Sequence, residues 1–127
     1  MNARLSRNDA DALPFILDAI ERLTEAVESE TRDLGGVGPV DYRTHSHRKS
    51  QGLFELSRLE PTLASVRGHP RMRNALTELL ATLDANQRLL HAKLEAARTV
   101  AEVVARAISD GQSDGTYSDQ VWLENLR

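Results

Sequence analysis

The chain reads as an all-α protein: an antiparallel helical bundle or coiled coil of three main helices, with a long C-terminal helix and a loose C-terminal tail. Three observations lead there. Apolar residues recur at steps of three, four or seven over long stretches, the spacing that keeps side chains on one helical face. Glycine and proline cluster at only a few places and divide those stretches cleanly. Aromatic residues make up only 4% of the 127 residues, so the core falls to Leu, Ile, Val and Ala, a mixture that favours helix over sheet.

The first helix is expected to start near Asp9 and Asp11, which offer capping oxygens, with Pro14 in its first turn, where a missing N–H costs nothing. Leu13, Ile16, Ile20, Leu23, Val27 and Leu34 form its stripe, and Glu30 is the one lapse. Gly35-Gly36-Val37-Gly38-Pro39 ends it, because glycine accepts the left-handed conformation of a helix stop and proline cannot continue the ladder.

Asp41 is the expected cap of the second helix. Its face is read as Tyr42, Lys49, Leu53, Leu56 and Leu59, with Ser46 between them and Phe54 widening the stripe. Lys49 is expected to pack its stem while the ammonium reaches solvent. Glu60-Pro61 interrupts this helix, since proline disfavours helix in the residue before it, and Thr62 to Val66 offers one further turn. Gly68-His69-Pro70 then redirects the chain.

The third main helix is expected from Pro70 to about Asp110, on Met72, Leu76, Leu79, Leu80, Leu83, Leu90, Leu94, Ala97, Ala101, Val104 and Ile108. Asn86 stands in that stripe where an apolar residue is expected; buried, it needs hydrogen-bond partners and fixes helix register, and at the edge of the stripe it does neither. The expected organisation is a single helical domain over 1–110 and a flexible tail over 111–127, since Asp110-Gly-Gln-Ser-Asp-Gly115 is rich in residues whose ordering costs backbone entropy.

Length bookkeeping points to a binding surface. At ~1.5 Å per residue the third main helix runs roughly 60 Å, against about 33 Å and about 27 Å for the first two. Short connections make consecutive helices antiparallel neighbours, so the first two are expected to flank the long helix only up to around Leu90. Leu94, Ala97, Ala101, Val104 and Ile108 would then face solvent as an apolar stripe rich in small residues, the mark of an interaction surface. Homodimerisation through the stripe, or a kink that folds this part back, is the alternative. In the tail, Tyr117 and Trp122 are candidate anchors, either folded over the stripe or offered to a partner.

Other chemistry finds little footing. A net charge of -3 gives no global pull toward nucleic acid or anionic lipid. The absence of cysteine excludes disulfides and thiolate catalysis, the opening residues lack the apolar run of a signal peptide, and no stretch is long and apolar enough to span a bilayer. A cytoplasmic location is the resulting expectation. His45-Ser-His47-Arg-Lys49 superficially resembles a metal motif, but residues two apart on a helix diverge by about 200° and cannot share one ion, so a solvated basic face is expected. The same segment admits a phosphorelay histidine with Arg48 or Lys49 as the stabilising cation, but Gly52, seven residues past His45, is a poor match to the space-clearing glycine of such domains. No carboxylate pair, phosphate loop or nucleophile elbow stands out, and neither catalytic residues, cofactor nor metal are expected.

One family is similar in its order of elements. Lys49-Ser-Gln-Gly-Leu-Phe-Glu-Leu-Ser-Arg-Leu59, Asn86-Gln-Arg-Leu-Leu90 and Gly115-Thr-Tyr-Ser118 resemble the second helix, the long helix and the tail of the FlgN-type flagellar export chaperones. The family often has a glycine soon after its tyrosine; here the glycine precedes Tyr117 and the segment continues to Trp122. The resemblance implies a cytoplasmic chaperone that binds hook-associated proteins, keeps their helical termini unassembled and delivers them to the flagellar secretion apparatus, with no nucleotide or metal. It also implies that the tail with Tyr117 contacts the export machinery.

Overall fold

A computed structural model describes residues 7–113, and all its regular structure is helical: α1 (Arg7–Gly35), α2 (Tyr42–Arg58), the short α3 (Glu60–Val66) and α4 (Pro70–Ser113). The chain divides into two compact units, Met1–Leu90 and His91–Arg127, and α4 contributes residues to both.

In the first unit the α1 stripe is buried as its spacing demands. Leu13, Ile16, Ile20, Leu23, Val27 and Leu34 join Val66 of α3 and Met72 and Leu79 of α4 among the core residues. Leu56, Leu59, Leu76 and Leu83 pack at the edge of this core. Ion pairs joining Arg22 to Glu55, Glu30 to Lys49 and Asp33 to His45 show that α1 and α2 run antiparallel. The α1/α4 grooves place Leu17 with Arg71 and Ala75, and Thr31 with Ala81 and Ala85, so these two helices run parallel. The unit is thus an up-down-up bundle.

Several boundaries differ from the sequence reading. Pro14 lies inside α1, not in its first turn. The proline leaves the Ala10 carbonyl without its helical donor, and Ala10 is exposed, so water can satisfy that oxygen. α3 begins at Glu60 itself, with Pro61 in the first turn where its missing N–H is harmless. α4 continues three residues beyond Asp110 to Ser113, because one interior glycine costs only ~1 kcal/mol against an established helix. The turn after α1 follows expectation: Gly38 takes φ +134°, a conformation side chains avoid.

The inward face of α2 is rotated from the one read in sequence. Tyr42 and Leu53 are each 48% exposed and Ser46 is exposed; the residues turned toward α1 are His45, Lys49, Gly52, Leu56 and Leu59. Gly52 explains the rotation. A Cβ there would lie 2.8 Å from Leu23 Cδ1 and 3.2 Å from Leu23 Cβ, so its absence lets α2 sit directly on the α1 stripe. On α4, Leu80 is also outside, 67% exposed, and the buried line follows Met72, Leu79 and Asn86 at intervals of seven.

Asp41 caps α2 as its sequence position indicates. Its carboxylate accepts from the Thr44 backbone N–H at 3.1 Å and the Thr44 hydroxyl at 2.7 Å. The hydroxyl hydrogen bond, then the backbone one, holds the carboxyl below its ordinary value of 3.8, assisted by the nearby His45 and Arg48.

Candidate functional site

Among its described residues, the second unit presents most apolar side chains to solvent. Leu94 is 49% exposed and Val104 51%, and both Ala97 and Ala101 are exposed; Ile108 alone of the expected stripe is half-buried. Helical geometry aligns all five. They step by three and four residues, the seam spacing of a coiled coil.

Two residues that the sequence reading passed over widen this seam. Val100 is 62% exposed and Val103 57%, and they lie along one flank of the line, with Ala96 and Ala107 continuing it. The signal was available: Val100 stands three residues after Ala97 and four before Val104, within the arc of one helical face. The opposite side carries Glu95, Arg98, Thr99, Glu102 and Arg106. Arg98 pairs with Glu95 at 3.2 Å, and the Thr99 hydroxyl donates to the Glu95 carbonyl at 3.0 Å. The candidate tail anchors Tyr117 and Trp122 lie outside the described residues.

The first unit holds the other residues singled out by sequence. Glu30, Lys49 and Asn86, the polar lapses of three separate stripes, meet in one layer. Glu30 is 2% exposed and Asn86 3%. Lys49 Nζ lies 2.6 Å from Glu30 Oε1 and 3.3 Å from Asn86 Oδ1, so the ammonium turns inward rather than reaching solvent. Asn86 Nδ2 donates to Glu30 Oε1 at 2.8 Å and to Thr31 Oγ1 at 3.1 Å, and Thr31 passes its own proton to the Val27 carbonyl at 3.0 Å. Asn86 is therefore interior and fully engaged, not at the edge of its stripe. A buried carboxylate without a cation would be costly, and Lys49 removes that cost.

His45 departs furthest from expectation. It is 5% exposed, with Nε2–H donating to Asp33 Oδ2 at 2.6 Å, and so is not part of a solvated basic face. Its contact with Asp33 of α1 holds the imidazole inward in the first turn of α2. Its Nδ1 is buried without a hydrogen-bond partner. His47 is exposed, so the two imidazoles point apart. Among the described residues no group of three or more His, Asp or Glu side chains is placed to hold a metal ion.

These features define an all-α helical protein with a packed three-helix unit and an unpartnered apolar line along the described part of its second unit. No helix among the described residues is long and apolar enough to cross a membrane. No family model, curated protein or solved structure matches the chain.

Proposed function

We propose that the chain is a non-enzymatic chaperone of the flagellar export type, active in the cytoplasm, which holds helical termini of hook-associated proteins against Leu94, Ala97, Ala101, Val104 and Ile108. The observation that carries the reading is the exposure of Leu94, Val100, Val103 and Val104, each about half or more in solvent on one helix. The motif resemblance of Lys49–Leu59, Asn86–Leu90 and Gly115–Ser118 to the FlgN-type family supplies the class of client. A client helix laid along this line forms a helix-in-groove contact read by residues three and four apart.

Magnitudes favour a transient complex. Covering the remaining exposed half of four Leu and Val side chains gains roughly 1 kcal/mol each on this side of the contact. A matching client face doubles that sum, and association entropy removes a large share of it. Reversible binding is what hand-over to a secretion apparatus requires.

The test is capture of the C-terminal helices of hook-associated proteins by the purified chain and by its Val104→Asp variant. Wild type is expected to retain them, and the variant to lose them while keeping its far-UV circular dichroism. Capture by both alike, or by neither, sinks the proposal. The seam spacing of the same residues favours a second reading, a homodimeric scaffold. Light scattering separates the two: a constitutive dimer with the stripe closed supports the scaffold, and a monomer opposes it.

A further inference from the structure

No phenylalanine or tyrosine ring among the described residues belongs to the core. Phe15 is 74% exposed, Phe54 66% and Tyr42 48%, whereas the buried hydrophobic residues are Leu, Ile, Val, Met and Ala. Phe15 and Phe54 are the chain's only phenylalanines, and both sit on the α1/α2 side of the first unit. Phe54 lines a groove of about 750 Å³ between these helices, and Phe15 lines a hollow that shares Arg22, Glu55 and Arg58 with it. Full burial of a phenylalanine is worth ~1.5–3 kcal/mol, so two rings left in water on one face are a reserve of binding energy.

Charge on that face is unbalanced. The groove and the hollow beside it are lined by Arg22, Arg32, Arg48 and Arg58 against Asp18, Glu25 and Glu55, in a chain whose net charge is -3. Within the groove the Arg22 guanidinium is taken up by Asp18 and Glu55. Among the described residues, Arg32, Arg48 and Arg58 have no side-chain ion pair, and Glu25 is the groove-lining carboxylate not taken up by Arg22. Surplus guanidinium beside exposed rings is the composition of a binding hot spot.

We propose that this α1/α2 face docks an acidic amphipathic helix of another protein, whose apolar side covers Phe15 and Phe54 and whose carboxylates meet Arg32, Arg48 and Arg58. The shape argues for a helix. Lining residues recur at helical spacing on both walls, Arg22 to Arg32 on α1 and Arg48 to Arg58 on α2, a run of roughly 15 Å or three turns. Gly52 and Ala26 provide low relief between those arginine-bearing ends. Planar guanidinium forks accept carboxylates bidentately, which gives the acidic partner a fixed register. The aliphatic line of the second unit has a different composition, so this docking stands or falls independently of the function proposed for that line.

The test uses the full chain, labelled with nitrogen-15, and two synthetic peptides of about 15 residues, enough for a four-turn helix. Both carry leucine at steps of three and four; one has glutamate at the flanking positions and the other lysine. The glutamate peptide is expected to shift the amides of Arg48, Gly52, Phe54 and Arg58, and the lysine peptide to leave them unmoved. In fluorescence anisotropy, Phe54→Ser and the double variant Arg48→Glu/Arg58→Glu should each weaken binding about tenfold or more. Both variants alter exposed side chains, and unchanged far-UV circular dichroism shows that they fold. Equal binding of the two peptides, shifts confined to residues 94–108, variants that bind as wild type does, or no binding of the glutamate peptide up to about 1 mM would each overturn the proposal.

Discussion

Asn86 on α4 donates its side-chain N–H to Glu30 Oε1 on α1 at 2.8 Å, and Lys49 on α2 approaches the same oxygen to 2.6 Å. One carboxylate atom thus joins the three main helices. Lys49→Met leaves Glu30 buried without its cation and is expected to cost about 3 kcal/mol or more in urea denaturation. The triple variant Glu30→Leu/Lys49→Met/Asn86→Leu removes the ion pair and the amide together, leaves Thr31 bonded to the Val27 carbonyl, and is expected to match or exceed wild-type stability. A triple variant as unstable as Lys49→Met would show that the layer stabilises the fold outright.

Gly52 and Leu23 form the closest approach of α2 to α1. Gly52→Ala gains ~1 kcal/mol of helix propensity, but the new methyl meets Leu23 Cβ, which cannot swing away, and overpacking costs roughly 1–3 kcal/mol. A net loss of about 1 kcal/mol is expected. Leu23→Ala alone should cost about 2–5 kcal/mol. The double variant should lose less than the two singles together, a coupling that chemical denaturation of all four proteins measures directly.

Asp41 links α2 to pH. Its folded carboxyl sits below the ordinary value of 3.8, so the cap contributes fully above that value and is lost as pH falls through the lower folded one. The first turn of α2 should loosen in acid below about pH 4, seen as movement of the Thr44 amide resonance. Asp41→Asn keeps an acceptor oxygen without the titration, so that acid transition of Thr44 should disappear.

Val27 and Val104 test the difference between core and surface valines. Val27 is fully buried, and Val27→Ala is expected to cost roughly 2–4 kcal/mol in denaturant. Val104 is 51% exposed, and Val104→Asp is expected to change stability by no more than about 1 kcal/mol. A large loss at Val104 would mean that the chain itself covers this side chain in solution.

The α1 stripe was legible from Leu13 to Leu34 because six of its buried positions carry Leu, Ile or Val, and the helix stop at Gly35 has plain chemistry. α2 was not legible in the same way. Its large apolar residues Tyr42, Leu53 and Phe54 lie on the outer side, while Leu56 and Leu59 turn inward beside His45, Lys49 and Gly52, two polar residues and one with no side chain. Hydrophobic periodicity therefore placed Leu56 and Leu59 correctly and missed His45 and Gly52 before them. Glu30, Lys49 and Asn86 each stood out in sequence as an exception. That they satisfy one another depends on how three helices stack, which one-dimensional spacing does not contain. The line from Leu94 to Ile108 was legible from spacing, and Val100 and Val103 were missed because only the centre of the arc was followed.

The all-aliphatic core has an optical consequence. Near-ultraviolet circular dichroism arises from rings held in asymmetric surroundings, and the interior of the first unit supplies none. Its unfolding gives no signal from buried Phe or Tyr rings at those wavelengths and is best followed through the peptide bands. The signals of Phe15, Phe54 and Tyr42 belong to the outer face, so any ring dichroism they gain on mixing with a second protein marks the moment something settles over them.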